Sequence, residues 1–227
     1  MAHLVTNRTG DWLVGNPGRS ELAAALWMGS VGLLILGLQP VLLGALFTEG
    51  KVSADGLALV ATAEIITIGI GSALVATLLS ASHMRLKSGV LLILLAVANV
   101  ATAYFETLGP MIGIRAVAGL LEGGLVAVAT ELVARSRRAE RIGGFFVTLQ
   151  TLAQCALALV LALWVIPAKG AAGGFVTLSI VCLASLAAAV RVPSRYEDLP
   201  RDENFGGALR LRPAIALLCI FSFFMFI

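Results

Sequence analysis

Charged residues are scarce in this chain of 227 residues, and their scarcity excludes most soluble folds. They make up 13% of the sequence, about half the fraction that is usual in a soluble domain, whereas 59% of the residues are hydrophobic. Mean hydropathy is +0.98. The net charge of +3 comes mostly from short loops between apolar runs, which is typical of a membrane protein and unlike a nucleic-acid-binding patch. We therefore predict an integral membrane protein that binds no nucleic acid.

Histidine and cysteine are also rare, and their positions argue against an enzyme. His3 and His83 lie outside the apolar runs, and no GxSG sequence of an intramembrane serine protease occurs. Cys155, Cys182 and Cys219 lie inside apolar runs without metal-ligand spacing, so we predict three buried thiols. No cluster of histidines or carboxylates suggests a metalloenzyme. We expect no catalytic residue, metal or cofactor.

What the chain does have is six apolar runs, each close to the roughly 20 residues that cross a bilayer. They predict an all-α integral membrane protein, a six-helix transmembrane bundle at 21–190 between a flexible leader at 1–20 and a connecting loop at 191–212. The last 15 residues, 213–227, are apolar but too short to cross, and we interpret them as the truncated start of a seventh helix. The predicted helices are Glu21–Phe47, Asp55–Leu79, Ser88–Phe105, Gly109–Arg135, Ile142–Ile166 and Gly174–Val190.

Lysines and arginines alternate between the two ends of these helices. Of the 16, 13 lie in the leader, in the loops after helices 2 and 4, and in the stretch after helix 6, whereas the opposite loops hold only Lys51 and Lys169. Because basic loops stay in the cytoplasm, both the leader and the 191–212 loop are predicted to be cytoplasmic. An even number of crossings separates them. We expect a multi-pass protein of the cell membrane, plasma or inner.

The remaining basic residue, Arg115, lies inside the fourth apolar run together with Glu122. Seven residues is close to two helical turns, so both side chains project from one face of the helix. A charge at the bilayer centre costs on the order of 3 kcal/mol or more, so both must face protein or water. Arg115 is either a structural residue that fixes the bundle or a direct ligand contact; the sequence leaves both open.

The other interior polar residues also favour helices 1, 2, 4 and 5, which we predict to surround a shared cavity, with helices 3 and 6 at the periphery. Gln39 and Glu64 lie about 12–14 Å below the outer surface, so they could meet. Glu64 and Glu122 are the candidates for proton binding. The glutamines are either helix-packing hydrogen bonders or ligand contacts. The predicted substrate or proton pathway comprises Gln39, Glu64, Arg115, Glu122, Gln150 and Gln154.

At these residues the chain resembles the N-terminal six-helix half of a major facilitator superfamily transporter. Its helix 4 signature, an arginine followed by glycines at four-residue spacing, is matched by Arg115, Gly119 and Gly123, and the glycines form a helix-packing motif. Gly71, Arg85 and Lys87 are counterparts of the cytoplasmic gating loop between helices 2 and 3, but the aspartate of that loop is missing. The glycine–proline motif of drug–proton antiporters is missing too. The resemblance implies two three-helix repeats and a role of Arg115 in proton coupling.

The expected function is therefore transport of a small solute by proton-coupled alternating access. Transporters of this kind bind substrate between two halves, so we expect this half to need a C-terminal half or a dimer partner and to be inactive alone. Its other expected partners are the lipid bilayer, a small-molecule substrate and protons. A six-helix membrane scaffold or channel subunit without carrier activity is the alternative.

Overall fold

A computed structural model of the chain describes residues 12–78 and 82–197. All regular elements in these two ranges are helices, which agrees with the predicted all-α class. The predicted seventh helix and Cys219 lie outside the described residues. The helices are α1 (Arg19–Thr48), α2 (Ala54–Leu78), α3 (Met84–Tyr104), α4 (Leu108–Val133), α5 (Ala139–Val160), a π-helical turn (Leu161–Val165) and α6 (Ile166–Ala189).

Within the described residues, five helical stretches are long and apolar enough to cross a membrane, which indicates a multi-pass membrane protein. Four of them are α1 to α4, and the fifth runs from Ala139 to Ala189, where α5, the π-helical turn and α6 follow one another directly and two helices meet at a kink at Gly170. The connection predicted at 168–173 is therefore present but shorter than expected. Its alanines are helical, and only Gly170 has a non-helical backbone, with φ 65° and ψ −166°.

The ends of the helices differ from the predicted ones by a few residues. α2 begins at Ala54, and the Ser53 hydroxyl accepts a hydrogen bond from the Gly56 N–H at 3.1 Å. Pro110 lies in the first turn of α4, where its missing N–H costs no helical hydrogen bond. α3 begins at Met84, four residues before the predicted start, because the chain regains helical geometry directly after His83.

The core of the bundle is formed by α1 and α4. In each of these two helices 56% of the most apolar 18-residue stretch is buried inside the bundle, against 22% in α2 and 6% in Ala139–Ala189. α4 packs against α1, α2 and α3, whereas α1 packs against α4, α5 and α6, and α3 packs against α6. The remaining faces of α2, α5 and α6 expose leucines, isoleucines and valines, which suits contact with lipid.

Close helix contact depends on glycines where α4 crosses α2. Cβ atoms added at Gly119 and Gly123 would overlap α2, at the Thr67 hydroxyl and the Ile68 carbonyl. From the other side, a Cβ at Gly71 would overlap the Leu120 carbonyl. These glycines let two backbones approach more closely than any larger residue allows.

One end of the bundle, which we call the basic end, gathers the leader and three connections. The Leu13 N–H donates to the Arg135 carbonyl at 2.8 Å, and the Met84 N–H donates to the Ser194 carbonyl at 3.0 Å. Residue 12 also forms an isolated β-bridge with Ser136. Trp12 and Leu13, at the end of the predicted leader, are thereby attached to the α4–α5 connection.

Candidate functional site

A cluster of polar side chains is enclosed in the bundle, and we call it the arginine cluster. Five helices contribute to it, and each of its residues is at most 9% exposed. α4 supplies Arg115 and Glu122, which were predicted to share one face of that helix. The members are Gln39 on α1, Glu64 on α2, Asn99 on α3, Arg115 and Glu122 on α4, and Phe175 and Cys182 on α6.

Arg115 is the centre of the cluster, and its guanidinium contacts three polar side chains. Nη2 pairs with Glu64 Oε1 and lies 3.5 Å from Glu122 Oε1. Nη1 donates to Asn99 Oδ1 at 2.8 Å. The planar fork of an arginine can engage several acceptors at once, whereas a lysine ammonium acts as a single point charge. Arg115 thereby links α2, α3 and α4 at one depth.

Glu64 has a partner on each of its two oxygens. Oε1 accepts from Arg115, and Oε2 accepts from Gln39 Nε2 at 3.3 Å. The predicted meeting of Gln39 and Glu64 is therefore present, as the matching depths of the two residues in α1 and α2 indicated. This contact connects α1 to the arginine cluster.

Glu122 is held less completely than Glu64. Its Oε1 lies 3.5 Å from Arg115, but Oε2 is buried and has no hydrogen-bond partner within residues 12–78 and 82–197. An unpaired oxygen of a buried carboxyl group is costly, and such exceptions in a protein interior usually have a functional reason. Two carboxyl groups share one guanidinium here, so the three side chains carry a net charge of −1 when both carboxyls are ionised and zero when one of them binds a proton.

Helices α3 and α6, predicted to lie at the periphery, also contribute side chains to the site. Asn99 accepts from Arg115 and its Nδ2 lies 3.9 Å from Cys182 Sγ. The Phe175 ring covers the guanidinium, with Arg115 Cζ 5.3 Å from the ring centroid. A cation over an aromatic face is favourable when both are removed from water. Asn99 could have been found by depth, since it lies five residues before the same end of the bundle at which α4 begins.

Two of the predicted pathway residues lie elsewhere. Gln154 Nε2 donates to the Leu33 carbonyl at 2.6 Å, so it joins α5 to α1 rather than entering the arginine cluster. Gln150 lies one turn earlier on α5 and is half-buried. Of the predicted helices 1, 2, 4 and 5, α5 therefore contributes no side chain to the arginine cluster. Cys155 is exposed on α5, so the prediction of a buried thiol is correct for Cys182 and wrong for Cys155.

The residues assigned to a gating loop do not lie in a loop. Gly71 is buried in α2, and Arg85 and Lys87 belong to the first turn of α3. Arg85 Nε donates to the Val192 carbonyl at 2.5 Å, and Arg85 Nη2 lies 3.9 Å from Glu21 Oε1. Arg85 therefore connects α3 to the start of α1 and to the segment that follows α6.

A second polar network, not anticipated from the sequence, holds the basic end together. Arg135 donates to the Glu197 carbonyl at 2.7 Å and to the Glu131 side chain, and its guanidinium stands over the Tyr196 ring. The Tyr196 hydroxyl donates to the Val128 carbonyl at 3.1 Å. Burial raises the pKa of Tyr196 although the Arg135 charge opposes this, so the hydroxyl remains a donor. These contacts attach the segment after α6 to the end of α4.

At the opposite end of the bundle a carboxylate caps the helix that follows Gly170. Glu49 Oε1 accepts from the Ala171 N–H at 2.5 Å, and Glu49 Oε2 lies 3.0 Å from Lys51 Nζ. Partial burial alone would raise the pKa of Glu49, but the Ala171 N–H and the Lys51 ammonium outweigh it, so the pKa lies below its usual value. A negative charge at the N-terminus of a helix is favourable.

Glu64 and Glu122 are the two carboxyl groups that the arginine cluster brings to one guanidinium. Among residues 12–78 and 82–197, no group of three or more His, Cys, Asp or Glu side chains is placed to hold a metal ion. Comparisons with protein-family models, curated proteins and solved structures found no match to this chain.

Proposed function

We propose that this chain is the N-terminal half of a proton-coupled secondary transporter of the major facilitator type. The observation that carries the proposal is a buried arginine shared by two carboxyl groups inside a bundle of apolar helices. Ionisable residues within a membrane are costly and usually mark an ion or substrate pathway. Three further features support it, namely the number of crossings, the symmetry of helix packing and the uneven pairing of the two carboxyl groups.

Six crossings are consistent with the contacts at the two ends of the bundle. Ala171 contacts Glu49 at the end of α1, whereas Glu197 contacts Arg135 at the basic end. α5 and α6 therefore run in opposite directions, and the chain reverses at Gly170, whose positive φ favours glycine. A straight helix of the 51 residues from Ala139 to Ala189 would be about 75 Å long, more than twice the thickness of a bilayer core.

Helix packing also has the symmetry of two three-helix repeats. When α1, α2 and α3 are exchanged with α4, α5 and α6, the α2–α4 pair becomes the α5–α1 pair, and α3–α4 becomes α6–α1. The α1–α4 and α3–α6 pairs map onto themselves. Because each repeat has three crossings, the second is inverted relative to the first. Inverted repeats of this kind are typical of secondary transporters, and they carry ligand sites near the bilayer midplane.

Within the cluster we assign proton binding to Glu122. Protonating Glu64 would disturb its contacts with both Arg115 and Gln39, whereas Glu122 Oε2, which has no partner in the described part of the chain, can take a proton without losing a hydrogen bond there. A proton on Glu122 leaves Arg115 paired with Glu64 alone. The change in charge next to the α2–α4 contact would then alter the balance between two packing arrangements, which is what alternating access requires.

The test measures solute-driven proton movement in liposomes that enclose a pH-sensitive dye. The protein in the form that its host produces is assayed with a panel of carboxylates, sugars and amines. We expect at least one solute to move protons, and we expect Glu122→Gln to abolish proton coupling. Arg141→Gln, which changes an exposed arginine at the basic end, is the matched control. Proton-driven uptake that is unchanged in Glu122→Gln would refute the assignment of Glu122.

The 227-residue chain by itself is expected to give no solute flux, since substrate sites of such transporters lie between two halves. Its partner would be a C-terminal half or a second copy of this chain. Purified chain reconstituted at one copy per liposome separates these possibilities from independent activity. Robust uptake by single copies would show that the half is a complete transporter and would overturn this part of the proposal.

The enclosed cluster also suits a six-helix scaffold or channel subunit, because Arg115 on α4 contacts side chains on α2, α3 and α6 and so joins four helices. In that case the cluster would stabilise the bundle and do nothing else. The matched comparison is the triple variant Glu64→Gln, Arg115→Gln and Glu122→Gln, which removes all three charges together. A scaffold or channel keeps its assembly or its conductance in this variant, whereas a transporter loses proton-coupled flux.

A further inference from the structure

A groove runs along the outside of the bundle between α5 and α6, and α1 forms its floor. We call it the α5–α6 groove. Its volume is about 590 Å³, and alanines on both walls keep it open. Its lining includes Trp27 on the floor, Ala153 and Leu157 on α5, Ala184 and Val181 on α6, and Arg191 just beyond α6.

The two walls of the groove cover different depths of the bilayer. Along α6 the groove reaches from Val181 to Arg191, which is ten residues and about 15 Å of helical rise from the basic end. A hydrocarbon core is about 30 Å thick, so the α6 wall covers about half of it, whereas the α5 wall continues to Val160, 21 residues from the start of α5. An acyl chain that enters from the basic end can therefore lie along α6 with its tail against α5.

The floor of the groove offers hydrocarbon contact without an unsatisfied polar group at Trp27. The indole Nε1 of Trp27 donates to Ser185 Oγ at 2.9 Å, and the Ser185 hydroxyl donates to the Val181 carbonyl at 2.7 Å. The remaining lining is almost entirely alanine, leucine and valine. An apolar chain can therefore fill the groove without displacing a hydrogen bond.

Arg191 stands at the mouth of this groove and is exposed. Among the residues that the structure describes, its guanidinium is in no ion pair. Basic residues at the mouth of a groove between transmembrane helices attract anionic lipid headgroups. We propose that the α5–α6 groove binds an anionic phospholipid, with one acyl chain along α5 and α6 and the phosphate on Arg191.

This site is separate from the arginine cluster and does not depend on transport. The position of Trp27 makes it measurable, since a tryptophan on the floor is quenched by brominated acyl chains that enter the groove. The chain has three tryptophans, so Trp12→Phe and Trp164→Phe leave Trp27 as the sole fluorophore. This parent protein is reconstituted in phosphatidylcholine bilayers that contain increasing fractions of brominated phosphatidylglycerol or brominated phosphatidylcholine.

We expect brominated phosphatidylglycerol to quench Trp27 at a fraction about fivefold lower than brominated phosphatidylcholine, as the contribution of one basic residue at an anionic headgroup implies. Arg191→Gln should remove the difference, Arg191→Lys should retain most of it, and Arg141→Gln should leave it unchanged. Equal quenching by both lipids in the parent protein would reduce the groove to ordinary hydrocarbon contact and overturn the proposal. Absence of quenching by either lipid would show that protein fills the groove, with the same consequence.

Discussion

Arg115 on α4 pairs with Glu64 on α2 and also contacts Glu122, seven residues along its own helix, so one guanidinium holds two buried carboxyl groups. The same group donates to Asn99 on α3. Since α4 is at the core of the bundle, this single side chain connects three helices that would otherwise meet only through apolar and glycine contacts. The stability of the bundle and the protonation of the cluster are thereby coupled.

Replacing Arg115 by glutamine should destabilise the protein by about 3–5 kcal/mol, because two buried carboxyl groups lose their positive partner. Unfolding in detergent is followed by heating or by denaturant titration. Arg141→Gln should change stability by less than about 0.5 kcal/mol, since Arg141 is exposed. Adding Glu64→Gln to Arg115→Gln should recover part of the loss, and a double variant less stable than Arg115→Gln would contradict the ion pair.

The α2–α4 contact can be tested with two glycines of the same helix. Gly123→Ala should destabilise the bundle by about 1–3 kcal/mol, because the new Cβ overlaps the Ile68 carbonyl and the helices must separate. A Cβ at Gly113 meets nothing within 4 Å, so Gly113→Ala should be neutral or slightly stabilising. Equal effects of the two substitutions on thermal unfolding would show that α2 and α4 do not approach this closely.

Acid should weaken the contact between Glu49 and Ala171. The pKa of Glu49 is lowered from its ordinary value of 4.5, so its stabilising contribution is complete above that pH and is lost as the pH falls through the folded-state value. We expect Glu49→Gln to be less stable than the parent by up to about 1 kcal/mol between pH 5 and 7, with the difference shrinking in more acidic buffers. A difference that stayed constant down to pH 3 would exclude this carboxylate as the cause.

The reversal at Gly170 predicts which positions share a side of the membrane. In a background without the three native cysteines, we expect Lys51→Cys and Lys169→Cys to react with an impermeant maleimide in intact cells. Arg141→Cys should react only after the membrane is opened. Labelling of positions 169 and 141 from the same side would contradict the opposite directions of α5 and α6.

The sequence predicts the transmembrane helices well because their signal is local. A run of about 20 apolar residues must be helical in a bilayer, where each backbone group needs an internal partner. The end of such a run is harder to predict. Between Pro167 and Gly174 the small residues continue a helix, and a single glycine with positive φ changes its direction where a loop of six residues was expected.

The arginine cluster was predicted in part, and the missing part concerns which helices face one another. Depth along α1 and α2 brings Gln39 to Glu64, and spacing along α4 brings Arg115 to Glu122. Neither depth nor spacing tells which side of α5 faces the cluster, so Gln154 was placed there although it bonds to Leu33. Asn99 is harder to find from the sequence, because a lone amide on α3 carries no charge that must face protein or water.

The hydrogen bonds of the connections are unevenly distributed between the two ends of the bundle. Leu13, Met84, Arg85 and Arg135 tie the leader, α3, α4 and the chain beyond α6 to one another, whereas the Glu49–Ala171 contact is the main polar link that the structure describes at the far end. Helices fastened at one end can spread only at the other. Any rocking of the helices in this bundle would therefore have its fulcrum beside Tyr196, and its widest excursion at the connection between α1 and α2.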